Sequence, residues 1–313
     1  MAQPISLSSS KMQFKPLLKL IRLPNVLTAA CNSLAGAFCA GVGFDRWPIL
    51  AAIAFSSMSL YAAGILLNDL FDLDEDRRER PFRPLPSGAV PIWLASTLAC
   101  VFSVAGCILA TSVSRQVGNI ALILLASVVG YDAFLKKTPA GPWAMGLCRG
   151  LNLSMGLAIS PLQIWGFIAI AGYTIYIAGI TYISRQETGV SSQKMLRVGF
   201  YLMLAGITGI VTAYLLLADI NTIFKNPAES AVISSLLCLL IFLTRVKAIV
   251  DAWREVIASP QPESIQQLVK TGIISLPLFD ILLVLGTTNI PAASIILAIW
   301  MSARLTARSL YTT

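Results

Sequence analysis

From Leu17 onward the chain is a succession of apolar runs separated by short polar stretches that hold nearly all of its charge. The runs cover Leu17–Phe44, Pro48–Leu70, Pro91–Thr111, Val117–Leu135, Trp143–Ser160, Leu162–Ile183, Met195–Leu217, Glu229–Val250, Ile265–Leu285 and Ile290–Thr306. Each is near the ~20 residues that a helix needs to cross a hydrocarbon layer. The stretch from Asn152 to Ser184 carries no charge and holds Pro161 near its middle, so it reads as two helices joined by a tight turn. The pattern predicts an all-α polytopic membrane bundle of about nine to ten transmembrane helices, nine if the last two runs are re-entrant or interfacial. Residues 1–16 form a polar, Ser-rich and then basic tail, and residues 17–313 a single integral-membrane domain. No small-residue cleavage site follows a short apolar core, so no removable signal peptide is read.

Composition agrees. Of 313 residues 56% are hydrophobic and 12% charged, and mean hydropathy is +0.77, whereas soluble domains carry about 25% charge. There is no histidine, which excludes a His-based triad, a His general base and His-liganded zinc or iron. Cys31, Cys39, Cys100, Cys107, Cys148 and Cys238 are scattered through apolar runs without CxxC spacing and read as small packed hydrophobes. The formal charge of +8 does not point to nucleic acid, because the bases lie in loops. Lys11, Lys15, Lys19 and Arg22 precede the first run; Arg77, Arg78, Arg80 and Arg83 follow the second; Lys136 and Lys137 the fourth; Arg185, Lys194 and Arg197 the sixth; Arg245, Lys247 and Arg254 mark the end of the eighth. The opposite loops offer little beyond Arg46, Arg115 and Lys225. By the positive-inside rule the N-terminus is cytoplasmic, in what reads as a bacterial inner membrane.

Acid is scarce and concentrated. Six of the fifteen Asp and Glu residues fall between Asp69 and Glu79. On a helix Asn68, Asp72 and Asp76 are spaced i, i+4, i+8, and Asp69 stands three before Asp72, so all four share one face while Asp74 points away. Carboxylates stacked on one face repel unless a cation lies between them. Mg²⁺ prefers hard oxygen ligands and commonly bridges one or two carboxylates to phosphate oxygens. A solvated patch balanced by Arg77, Arg78 and Arg80 is the alternative.

Asn68-Asp69-x-x-Asp72-x-x-x-Asp76 resembles the NDxxDxxxD motif of the UbiA superfamily of intramembrane prenyltransferases. Arg83-Pro84-Leu85-Pro86-Ser87-Gly88 resembles the stretch that follows that motif, and Leu23-Pro24-Asn25 an early element of the first helix. Tyr131 to Lys136, with Lys137 and Thr138, resembles the family's Tyr–Lys segment; Arg149-Gly150-x-Asn152 with Gly156 resembles a pattern in the fifth helix. The resemblance implies helices around a central cavity beneath a cytoplasmic cap, Mg²⁺ gripping an isoprenyl diphosphate, and transfer of the prenyl group to an aromatic or similar acceptor. It assigns Asp69, Asp72 and Asp76 to catalysis, and with Asn68 to metal binding. Asn25, Arg83, Tyr131, Lys136, Lys137, Arg149, Asn152, Arg185 and Glu187 become candidate substrate contacts.

One place departs from that pattern. Where the family has a second paired-aspartate motif after the sixth helix, this chain has Tyr182-Ile-Ser-Arg185-Gln186-Glu187-Thr-Gly189, with Glu187 the only acid. The loop resembles the EboC-type subgroup of UbiA-like proteins. Arg185 could touch the diphosphate where the family uses an ion; equally, the scaffold could carry an isoprenoid diphosphate or lipid with little turnover. Tyr131 reads either as a leaving-group contact or as an interface anchor, and Lys136 and Lys137 as diphosphate contacts or topology anchors. Arg149 reads as a diphosphate or cap contact, and Asn152 as cavity lining or a backbone partner. Asp280 is the only acid deep in a late run and has no evident partner. Trp47, Trp93, Trp143 and Trp165 read as an interface belt. A head-group transferase is disfavoured by the missing DGxxAR start, and a transporter by the lack of paired interrupted helices.

Overall fold

A computed structural model describes residues 14–187, 192–218 and 229–311. The expectations for residues 1–13, Thr188, Gly189 and Lys225 fall outside them. The described residues are all-helical, with twelve α-helices: α1 Phe14–Leu20, α2 Leu23–Cys39, α3 Trp47–Phe71, α4 Leu73–Glu79, α5 Ile92–Val113, α6 Arg115–Gly130, α7 Gly141–Leu157, α8 Ile164–Ser184, α9 Gln193–Leu217, α10 Glu229–Ala258, α11 Pro262–Leu285 and α12 Ile290–Tyr311. Seven segments among them are each long and apolar enough to cross a membrane: α3 with the short turn before it, α5, α6 with the turn after it, α8, α9, α11 and α12.

Two expectations are corrected. The first apolar run is not one helix, because Arg22 adopts φ 50°, ψ 52° and separates α1 from α2. A left-handed non-glycine residue costs about 1–2 kcal/mol, and here the bend turns the Arg22 guanidinium toward Asp69, 3.0 Å away. Trp165 is buried rather than part of an interface belt, while Trp47, Trp93 and Trp143 are exposed.

The centre of the bundle is α2, buried on nearly every side and in contact with α3, α7, α11 and α12. Its small residues make this possible. Without a hydrophobic force between helices in lipid, close backbone approach supplies packing, and Gly, Ala and Ser permit it. Gly36 of α2 and Gly156 of α7 face one another so closely that a Cβ on Gly156 would strike the Ser33 carbonyl and lie 2.5 Å from the Ala37 nitrogen. Alanine gains up to ~1 kcal/mol of helix propensity over glycine, but forcing a methyl into a filled backbone contact costs about 1–3 kcal/mol. Gly156→Ala is therefore expected to lower the thermal unfolding midpoint in detergent; an unchanged or raised midpoint contradicts this packing.

A polar network crosses the same core. Ser57 of α3 donates to Asn152 Oδ1 at 2.6 Å, and Asn152 Nδ2 donates to the Ala29 carbonyl at 3.0 Å and to Asn32 Oδ1 at 3.3 Å. Asn32 Nδ2 and the Tyr173 hydroxyl then donate to Asp280 Oδ1 at 2.8 and 2.7 Å. Arg149 Nη2 stands 3.6 Å from Asp280 Oδ2. The partner that the sequence leaves open for Asp280 is thus Arg149; four helices meet at one buried carboxylate, and α3 joins them through Ser57 and Asn152.

Candidate active site at the cavity mouth

The acidic segment is two helices with a joint. α3 ends at Phe71, Asp72 caps both it and α4 with φ −88° and ψ 1°, and the i→i+4 ladder continues through the joint: Asp72 N–H to Asn68 O at 3.0 Å, Asp76 N–H to Asp72 O at 2.8 Å. The single straight helix expected from spacing is corrected to a bent pair, yet the shared face survives. Asp69 and Asp76 are buried at 7% and 3% exposure, while the Asp74 side chain is 89% exposed.

Each of these carboxylates faces a cation. Asp69 pairs with Arg22 at 3.0 Å and lies 3.9 Å from Arg83. Asp76 pairs with Arg83 at 2.6 Å and lies 3.7 Å from Arg80. Arg83 comes from the loop after α4, which is anchored by buried Leu85 and Val90 against Leu20, Leu66, Ala95 and Ala99. It turns at Gly88, whose φ of +75° costs glycine little and other residues more. Lys136 donates to Asn68 Oδ1 at 2.7 Å and to Asp72 Oδ2 through a short ion pair.

Beneath this mouth lies a cavity of ≈ 460 Å³, within the range of small-molecule sites. Arg22, Asn25, Asn68, Tyr131 and Asp132 line its polar end; Leu60, Ile65, Leu124, Val128, Ile177 and Leu276 line apolar walls; Arg149 and Asn152 stand deeper. Arg149 is eight residues into α7, so at 1.5 Å per residue it lies about 12 Å below that helix's start.

The structure sorts the sequence candidates. Asn25, Asn68, Tyr131, Arg149 and Asn152 line the cavity, whereas Asp69, Asp72, Asp76, Arg83 and Lys136 do not and form the ion-pair cluster that meets it at Arg22 and Asn68. Tyr131, at 9% exposure, is a lining residue and not an interface anchor. Of the two readings of Arg149, a diphosphate or a cap contact, the cap is corrected: it lines the cavity and stands 3.6 Å from Asp280 Oδ2. Lys137 turns outward to Glu75 at 2.5 Å. That hydrogen bond holds the Glu75 carboxyl below its ordinary range and raises the Lys137 ammonium.

Arg185 does not reach the cavity either. Its Nη1 donates to the Thr138 carbonyl at 2.9 Å and its Nη2 to the Lys136 carbonyl, so it holds the Lys136 loop in place. Glu187 is half-buried, outside the cavity lining; burial raises its carboxyl above the usual range and the charge of Arg80 opposes that shift. Sequence reasoning missed two residues. Arg22 was read only as a topology charge, and Asp132 was passed over between Tyr131 and Lys136, although an acid inside an apolar run is itself a signal.

Among the described residues no three His, Cys, Asp or Glu side chains converge closely enough to hold a metal unaided. Mg²⁺ does not need that, since one or two carboxylates with waters and substrate phosphates suffice. The donor set fits one such ion: the Lys136 ammonium already sits against Asn68 Oδ1 and Asp72 Oδ2, so two hard oxygens are arranged around a bound cation.

The UbiA prenyltransferase family pattern matches residues 29–255. This chain belongs to that family. Among curated relatives it is 30% identical over 156 residues to a digeranylgeranylglyceryl phosphate synthase of Methanothrix thermoacetophila, covering 49% of this chain and 58% of that protein. It is 26% identical over 159 residues to a 4-hydroxybenzoate octaprenyltransferase of Burkholderia vietnamiensis, covering 50% and 53%. The chain spans about half the length of the curated relatives it matches. Solved structures share the fold. The UbiA homologue of Aeropyrum pernix K1 superposes with TM-score 0.59 at 17% identity, over 85% of this chain and 97% of that one. The Archaeoglobus fulgidus UbiA homologue bound to DMAPP and Mg²⁺ gives 0.56 at 16% identity, over 83% and 98%. The chain is therefore a multi-pass membrane protein of the UbiA prenyltransferase family.

Proposed function

We propose that the protein is a Mg²⁺-dependent prenyltransferase that moves an isoprenyl group from its diphosphate to an aromatic or other small acceptor within the membrane. The observation that carries this reading is a cation held between Asn68 and Asp72 beside the polar end of a cavity whose walls are mostly apolar. A diphosphate at that end meets Arg22, Arg83 and Lys136, while its hydrocarbon tail lies along the apolar walls. Mg²⁺, when bound, neutralises the leaving diphosphate. Arg22, Arg83 and Lys136 add fixed positive charge where negative charge grows as the allylic C–O bond breaks. The diphosphate departs with the bonding pair, the acceptor forms the new bond to the allylic carbon, and the acceptor's proton is lost.

The names of the relatives support prenyl transfer, and the magnesium and DMAPP in the Archaeoglobus structure support the ion and the substrate class. The concentration of bases at the acidic end supports a cytoplasmic mouth and N-terminus in a bacterial inner membrane, with residues 17–313 as one integral-membrane domain. The loop Tyr182–Glu187 supports membership of the EboC-type subgroup.

A second reading rests on that same loop. With Glu187 its only acid and outside the cavity lining, the protein would hold the diphosphate without turning it over. Purified protein in nanodiscs, given labelled geranylgeranyl diphosphate and Mg²⁺, separates the two. The enzyme reading expects diphosphate release that rises when acceptors such as 4-hydroxybenzoate are supplied and that stops with EDTA. Retention of intact substrate with every acceptor tried favours the carrier.

A further inference from the structure

Asp69, Asp72 and Asp76 each have a cationic partner: Arg22, Lys136 and Arg83 respectively. Asp132 differs. It lines the same end of the cavity as Asn68 and Arg22, yet among the described residues no hydrogen bond or ion pair engages its carboxylate. The charges that act on it are Lys136, Asp72, Asp69 and Arg22, the groups that build the mouth.

Its placement has a structural cause. α6 gives way after Gly130 to a π-helical turn over Tyr131–Leu135, closed by the Lys136 N–H donating to the Tyr131 carbonyl at 2.8 Å. Such single turns are rare and are frequently found at functional sites. Here a single turn presents Tyr131 and Asp132 to the cavity and Lys136 to Asn68 and Asp72. Arg185 fixes the end of that turn through the carbonyls of Lys136 and Thr138. The Lys136 ammonium marks where a cation rests between α3 and the end of α6. A carboxylate with no partner beside an occupied cation position is poised to take a second, stronger one.

We infer that Asp132 is an acidic ligand of the divalent-cation site, approaching from the end of α6 across from Asn68 and Asp72 and supplying a carboxylate that the loop after α8 does not bring to the cavity. The inference rests on the prenyltransferase reading and names a further residue of the same site. Divalent binding then draws Lys136 off Asp72 and frees its ammonium for the diphosphate.

The test uses Mn²⁺ as a paramagnetic substitute, titrated into full-length protein with geranylgeranyl diphosphate and no acceptor, with free Mn²⁺ followed by electron paramagnetic resonance. Wild type, Asp132→Asn and Asp132→Glu are compared, and thermal unfolding without metal or substrate is measured for each. Asp132→Asn is expected to weaken Mn²⁺ by at least about tenfold, or to lose one bound ion, with its unfolding midpoint held; Asp132→Glu is expected to recover most of the affinity. Asp132→Asn binding the same number of ions within twofold of wild-type affinity overturns the inference while leaving the prenyltransferase reading intact. Loss of Mn²⁺ together with a lowered unfolding midpoint and no rescue by glutamate overturns it in favour of a structural role. Wild type that fails to bind Mn²⁺ overturns both.

Discussion

Asp280→Ala is expected to destabilise the protein by about 3–5 kcal/mol, the usual penalty for removing one partner of a buried ion pair. Asp280 is fully buried and accepts hydrogen bonds from Asn32 and Tyr173 while standing opposite Arg149. Removing it strands a guanidinium whose Nε and Nη2 already have no hydrogen-bond partner. It also leaves the Asn32 amide and the Tyr173 hydroxyl without their acceptor, each worth about 1–3 kcal/mol when left unsatisfied. The penalty belongs to the unpaired charge and not to the pair as such, because replacing both members of a buried pair by apolar groups is often neutral. The double variant Arg149→Met/Asp280→Leu is therefore expected to recover much of the loss. Unfolding in detergent, followed by tryptophan fluorescence, checks both. A single variant within about 1 kcal/mol of wild type would show that the pair does not organise the core.

The second large effect concerns the mouth. Asp72→Ala is expected to weaken Mg²⁺-dependent binding of an isoprenyl diphosphate by at least about a hundredfold, near 2.7 kcal/mol, with little loss of stability. The Asp72 side chain is 18% exposed and among the described residues its one ion pair is with Lys136, so the fold loses a partly solvated contact, worth ~1 kcal/mol or less. Binding loses much more. The site keeps Asn68 and the bases but not the carboxylate through which a divalent ion meets phosphate oxygen. Asp69 and Asp76 are less clean probes, since burial and pairing with Arg22 and Arg83 make their removal a structural injury as well.

Period and length made the architecture legible. Every apolar run is helical among the described residues, because burial in lipid obliges the backbone to satisfy its own hydrogen bonds, but seven of the ten give a helix long and apolar enough to cross a membrane, and the first is broken at Arg22. The shared face of Asn68, Asp69, Asp72 and Asp76 was legible for a similar reason: i+4 spacing survives the bend at Asp72. What escaped was set by contacts between distant segments. No local pattern announces that Arg22 turns left-handed and meets Asp69, 47 residues on. None announces that Arg149 and Asp280 find one another, or that Arg185 spends its donors on the carbonyls of Lys136 and Thr138 and not on substrate. Asp132 was hidden by phase, since a π-helical turn breaks the 3.6-residue period by which its direction would be judged.

The most direct measurement is retention of labelled geranylgeranyl diphosphate on wild-type protein and Asp72→Ala in nanodiscs, with Mg²⁺ and with EDTA. A cation clasp at the mouth of an apolar chamber predicts saturable retention by wild type that EDTA removes and that Asp72→Ala lacks even with Mg²⁺. Retention that is equal with EDTA, or equal in Asp72→Ala, would contradict it.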